Sequence, residues 1–161
     1  MKLKIIFAAI LIFLFSALPS EAQSKKFGLG FIVGEPTGLS AKLWVSGSNA
    51  LAFGLGWSAW GGKHDGYYDS FSYTHLHIDY LWHSFNAISS NGQFPLFYGI
   101  GGRIITGTNY KGSFGVRGIF GVAWVPKSAP VDVFLEVVPT LQLVNTTGLG
   151  IDAAIGGRIY F

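Results

Sequence analysis

Between residues 131 and 144 the chain alternates with a period of two. The odd positions, Val131, Val133, Leu135, Val137, Pro139, Leu141 and Leu143, are all apolar. The even positions are Asp132, Phe134, Glu136, Val138, Thr140 and Gln142. Such alternation predicts a β-strand with one greasy face and one mixed face. The last stretch repeats the pattern, with Leu149, Ile151, Ala153, Ile155, Gly157, Ile159 and Phe161 on one face. Gly150, Asp152, Ala154, Gly156, Arg158 and Tyr160 fall on the other.

The same division works upstream. Phe27, Leu29, Phe31 and Val33 oppose Gly28, Gly30 and Ile32; Leu39, Ala41 and Leu43 oppose Ser40, Lys42 and Trp44. Leu51, Phe53, Leu55 and Trp57 oppose Ala52, Gly54, Gly56 and Ser58. Leu76, Ile78, Tyr80 and Trp82 oppose His75, His77, Asp79 and His83. Leu96, Tyr98, Ile100 and Ile104 oppose Phe97, Gly99, Gly101 and Arg103. Phe114, Val116, Phe120, Val122 and Trp124 oppose Gly115, Arg117, Gly121 and Ala123.

Turn signals separate these segments at 34–38, 46–49, 61–70, 84–93, 106–112, 126–130 and 145–148. Glycine is scattered through every segment and helix signals are absent. The predicted fold is all-β: eight antiparallel strands joined by hairpins and closed as an up-and-down barrel.

Charge sharpens the picture. With faces chosen by apolar residues alone, Lys42, Asp79, Arg103, Arg117, Asp132, Glu136, Asp152 and Arg158 all fall on the mixed face. Four are positive and four negative, so pairing within one network is feasible. A hairpin turning at 145–148 puts Glu136 opposite Arg158. Arg103 and Arg117 then draw on carboxylates such as Asp152 or Asp79.

Composition decides which face is outside. The 161 residues are 50% hydrophobic and only 12% charged, with 23 glycines. A soluble domain carries about 25% charge. A lipocalin-like barrel would be apolar inside and charged outside. Here the mixed face is mostly Gly, Ala and Ser, a poor coat for water but a fitting fill for a narrow lumen. The greasy face is therefore expected to meet lipid, where only helices and closed barrels satisfy the backbone. Trp57, Trp60, Tyr80, Trp82, Phe94, Trp124, Tyr160 and Phe161 lie near strand ends and are candidates for interfacial girdles.

Residues 1–22 read as a cleaved secretory signal peptide. Lys2 and Lys4 form its basic start, Ile5 to Leu18 its apolar run, and Ser20-Glu21-Ala22 its small-x-small site. The barrel domain is then 23–161. There is no cysteine, which excludes a lipoprotein anchor, disulfides and thiolate metal sites. Without the leader the charge is close to balance, and no basic patch with interleaved aromatics implies nucleic acid.

In these features the chain resembles the small outer-membrane β-barrel family, similar to the OmpA transmembrane domain and to OmpX. The ending "GGRIYF", with terminal Phe161, resembles the signal read by the barrel-assembly machinery. Ala154 stands where that signal has a polar residue. The resemblance implies a bacterial outer-membrane location, outer-membrane lipids and the assembly machinery as partners, and a monomer. Two departures are the long turn at 84–93 and Pro139, which removes a ladder donor and invites a bulge.

Candidate chemistry is sparse. His75-x-His77, with Asp79 and His83 of the same parity, would need to converge with a third ligand to hold a metal; the alternative is polar filling of the lumen. In "HSFN", His83 and Ser84 point to opposite faces and do not form a nucleophile–base pair. The "GLG" and "GIGG" clusters lack a following helix and are strand glycines rather than phosphate loops. No cofactor and no enzymatic activity are expected. His64, Tyr67 and Tyr68 form the candidate contact patch of the loop at 61–70. The expected role is structural or surface interaction. A narrow channel, a lipid-modifying enzyme and a secreted lipocalin-like binder are the alternatives.

Overall fold

The computed structural model describes residues 25–58, 61–64, 67–70, 73–88, 93–107, 110–144 and 147–161. The signal-peptide stretch, Trp60 and Asp65 lie outside them. Among the described residues every regular element is a strand. Eight form the wall: β1 (Phe27–Gly34), β2 (Thr37–Trp44), β3 (Asn49–Ser58), β6 (Tyr73–Ser84), β7 (Leu96–Gly107), β8 (Tyr110–Trp124), β9 (Val131–Gln142) and β10 (Gly148–Tyr160). They close in the order β1-β10-β9-β8-β7-β6-β3-β2, all antiparallel. Each wall strand thus pairs with its neighbours along the chain, and β1 and β10 seal the seam. The Phe161 amide donates to Phe27 O at 2.8 Å just beyond that ladder.

The segment expected as an open loop at 61–70 is ordered differently. It forms a two-stranded sheet of β4 (Gly61–His64) and β5 (Tyr67–Ser70), in which His64 pairs with Tyr67 and Lys63 with Tyr68. This places the three candidate contact residues on one hairpin between β3 and β6.

Alternation holds around the wall. Leu149, Ile151 and Phe31 are 77%, 72% and 65% exposed on the outside, while Lys42 and Arg117 are each 1% exposed within. Trp57, Phe94, Trp124 and Phe161 are exposed on the outside. Outward-facing Tyr80, Trp82 and Tyr98 form a chain of ring contacts at 4.8 and 5.6 Å. Tyr160, read as part of a girdle, is instead inward and 6% exposed, because it shares parity with Arg158.

Pro139 is accommodated without a bulge. The β8–β9 register is the same on both sides of it, Arg117↔Thr140 and Phe120↔Val137. The ladder lapses between those two pairs, where Pro139 and Val138 face Gly118 and Ile119. The one register shift in the β7–β8 pair lies between Ile105 and Gly107. The two-residue β1–β2 link follows Gly34, whose φ of 134° is a conformation that suits glycine.

The interior fits by complementing bulk with glycine. His77 lies opposite Gly54, Phe97 opposite Gly121, Phe134 opposite Gly156 and Tyr160 opposite Gly28. A Cβ added to any of these glycines would strike the facing ring. The scattered strand glycines therefore create the space that the large lumenal side chains fill.

Candidate functional site: a charged lumen in three tiers

All eight predicted lumen charges point inward. They fall into three tiers along the barrel. The proximal tier lies toward the rim that holds Phe27 and Phe161, and is built around Asp132. Arg158 clamps its carboxylate with two hydrogen bonds, Nε to Oδ1 at 2.9 Å and Nη2 to Oδ2 at 3.1 Å. Tyr160 Oη donates to Oδ2 at 2.6 Å, and Lys42 Nζ lies 3.4 Å from the same oxygen. A carboxylate buried this deeply is tolerable only when its lone pairs are taken by donors and cations, and all of those are supplied here.

Aromatic rings complete the plug. Lys42 Nζ sits 4.2 Å from the Trp44 ring centroid and Arg158 Cζ 4.0 Å from that of Phe134. Cations over aromatic faces gain from the ring quadrupole. His83 stacks on Phe97 at 5.5 Å and meets Lys42 Nζ at 2.8 Å. Lysine only donates, so His83 Nε2 accepts, and its Nδ1 donates to Ser48 O at 3.2 Å.

The central tier centres on Arg117. Its Nε lies 3.2 Å from Asp79 Oδ1 and its Nη2 3.6 Å from Glu136 Oε1. The distal tier is a pair: Arg103 Nη1 donates to Asp152 Oδ2 at 2.5 Å, while its Nη2 donates to Gln142 Oε1 at 3.2 Å.

Arg103 and Arg117 thus take the carboxylates expected of them, Asp152 and Asp79. The Glu136–Arg158 pair does not form. The β9–β10 ladder begins at Gln142↔Gly148, beyond a five-residue connection, so Arg158 stands opposite Asp132 and Glu136 opposite Ala154. Moving by four residues preserves the face of every side chain but exchanges the partner. Sequence reasoning placed Ser40, Thr140 and Tyr160 on the mixed face without a site role, and left Ser113 unassigned. Their parity marks them as lumenal, but neutral side chains give no charge balance to read.

Side-chain exposure rises along the barrel. It is 0% for Asp132 and 3% for Arg158, 1% for Arg117 and 10% for Glu136, then 11% and 14% for Arg103 and Asp152. The proximal charges are the most deeply buried and the distal pair the least.

The histidines take polar-filling roles. His75 and His77 meet edge to face at 5.2 Å, and Arg117 Nη1 approaches His75 Nε2 at 3.4 Å. Among the described residues no group of three or more candidate ligands could hold a metal ion. His83 is buried and Ser84 exposed, on opposite faces of β6. His64, Tyr67 and Tyr68 belong to the β4–β5 hairpin, apart from the wall sheet.

The fold and site together define a class: a closed, eight-stranded antiparallel β-barrel with an apolar outer face and a lumen plugged by paired charges. No protein-family model, no curated protein and no solved structure matches this chain.

Proposed function

We propose that this chain is an integral outer-membrane β-barrel protein with a structural or surface-interaction role, rather than an open pore. The observation that carries this reading is the inversion of its faces. Leu, Ile, Val, Phe and Trp side chains are exposed around the outside, while Lys42, Asp79, Arg117, Asp132, Glu136 and Arg158 are buried within. Water offers nothing to such a surface, whereas a bilayer rewards it. The wall strands are 8 to 15 residues long, and strands of about 9–11 residues cross a bilayer when tilted. The resemblance to small outer-membrane barrels supports the same reading.

The deeply buried proximal tier favours the closed reading over a narrow channel. The engagement of both His83 ring nitrogens, by Lys42 and Ser48, favours this reading over a lipid-modifying one. The test is fractionation followed by SDS gel electrophoresis, unboiled against boiled. Recovery in the outer-membrane fraction, with a migration difference lost on boiling, supports the proposal. A soluble protein with no heat-dependent shift overturns it.

A further inference from the structure

The distal lumen holds a surplus of hydrogen-bond donors. Four side-chain atoms on four successive wall strands are buried without a hydrogen-bond partner: His75 Nδ1 on β6, Arg103 Nε on β7, Ser113 Oγ on β8 and Gln142 Nε2 on β9. The ladders bring them together. His75 pairs with Ile105 and Ile105 with Ser113; one inward step away, Arg103 pairs with Gly115 and Gly115 with Gln142.

All four are donors. Arginine and the glutamine amide nitrogen donate only, and a serine hydroxyl donates readily. For His75 the tautomer follows from its neighbour. Arg117 Nη1, which cannot accept, lies 3.4 Å from Nε2, so Nε2 accepts and the hydrogen sits on Nδ1. Two acceptors at this height, Gln142 Oε1 and Asp152 Oδ2, both receive Arg103. Space adjoins the donors. Gly148 and Gly150 share the lumenal parity of Asp152, and a Cβ on either would meet nothing within 4 Å. Arg103 and Asp152 are the most solvent-exposed of the lumenal ion pairs.

We propose that this distal niche binds a small oxyanion, of the carboxylate or phosphate type. A buried donor without an acceptor is costly, and four on one wall call for a ligand rich in acceptors. A bridging water brings two hydrogens of its own, whereas a carboxylate only accepts and a phosphate offers more acceptor oxygens than hydrogens. Arg103 brings its guanidinium to the niche, with Asp152 paired to its Nη1. The inference concerns the lumen alone and holds whether lipid or water surrounds the barrel.

The test is a titration of the intact folded protein with sodium phosphate, followed by proton–nitrogen NMR of the Arg103 Nε–H and the backbone amides of Ser113 and Gln142. The expected result is a saturating shift confined to these groups. Ser113→Ala and Gln142→Met, each made separately, should weaken binding roughly tenfold, the loss of one such hydrogen bond. A shift that grows linearly and appears equally around the barrel exterior overturns the proposal, as does unchanged affinity in both variants while they keep the wild-type fold. The wild-type titration decides the matter even if one variant fails to fold.

Discussion

Arg158 and Asp132 stand directly opposite each other on β10 and β9 and share two hydrogen bonds, with both side chains almost wholly buried. The carboxylate also receives Tyr160 and faces Lys42. It is therefore the one anion holding two cations in the proximal tier. Asp132→Ala would leave Lys42 and Arg158 as buried neighbours of like charge. Removing one partner of a buried pair costs about 3–5 kcal/mol. The expected outcome is a loss of that size in urea unfolding of the reconstituted protein. Glu136→Gln should cost less, because Glu136 meets Arg117 only at 3.6 Å and Arg117 keeps Asp79.

The glycine complement makes a second, opposite kind of prediction. Gly54→Ala would drive a methyl group into the His77 ring. Overpacking of this kind costs about 1–3 kcal/mol. Because the clash is with one named side chain, His77→Ala in the same molecule should relieve most of it. A double-mutant cycle on unfolding free energies checks this. A cycle in which the two losses simply add would show that the strain lies in the backbone instead.

The faces were legible from sequence because parity is robust. A strand has only two faces, and apolar residues chose one without reference to any partner. Partner identity was not legible to the same degree. An even slip in the β9–β10 turn leaves Asp132, Glu136 and Arg158 all inward, yet changes which carboxylate meets the arginine. Asp152 and Asp79 were legible as the carboxylates for Arg103 and Arg117, but not which arginine takes which. The β4–β5 hairpin was missed because two four-residue strands give too few alternations to stand out among glycines. Ser113 and Gln142 were missed as site residues because an unpaired donor is visible only once its neighbours are placed.

The tier arrangement predicts how the lumen behaves toward ions. In planar bilayers the wild-type protein should show no steady conductance, because Asp132, Arg158, Lys42 and Tyr160 fill the proximal section. Lys42→Ala together with Tyr160→Ala removes two of these side chains and the stacking of Lys42 on Trp44. That variant should show small conductance steps. Arg103→Ala, in the less buried distal pair, should leave the barrel closed. Steady conductance by the wild-type protein would displace the closed reading in favour of a narrow channel.

The outer face gives the most direct separation of lipid from water. Leu135 is 52% exposed, near the middle of β9, with its side chain directed away from the lumen. In water, a substitution at such a site changes stability by about 0.5 kcal/mol or less. At the midplane of a bilayer, an arginine costs about 2–4 kcal/mol in a transmembrane barrel. Leu135→Arg, measured by urea unfolding from phosphatidylcholine vesicles, should therefore destabilise the protein by that larger amount. Lys127, in the exposed proximal turn between β8 and β9, serves as the control, and its exchange for alanine should be nearly neutral. The Leu135 side chain points away from the ion pairs and the ring–glycine contacts of the lumen. A loss there reports on the surrounding phase alone. A neutral result would place the apolar wall against something other than lipid, and the membrane assignment would fall while the barrel and its charged plug stood.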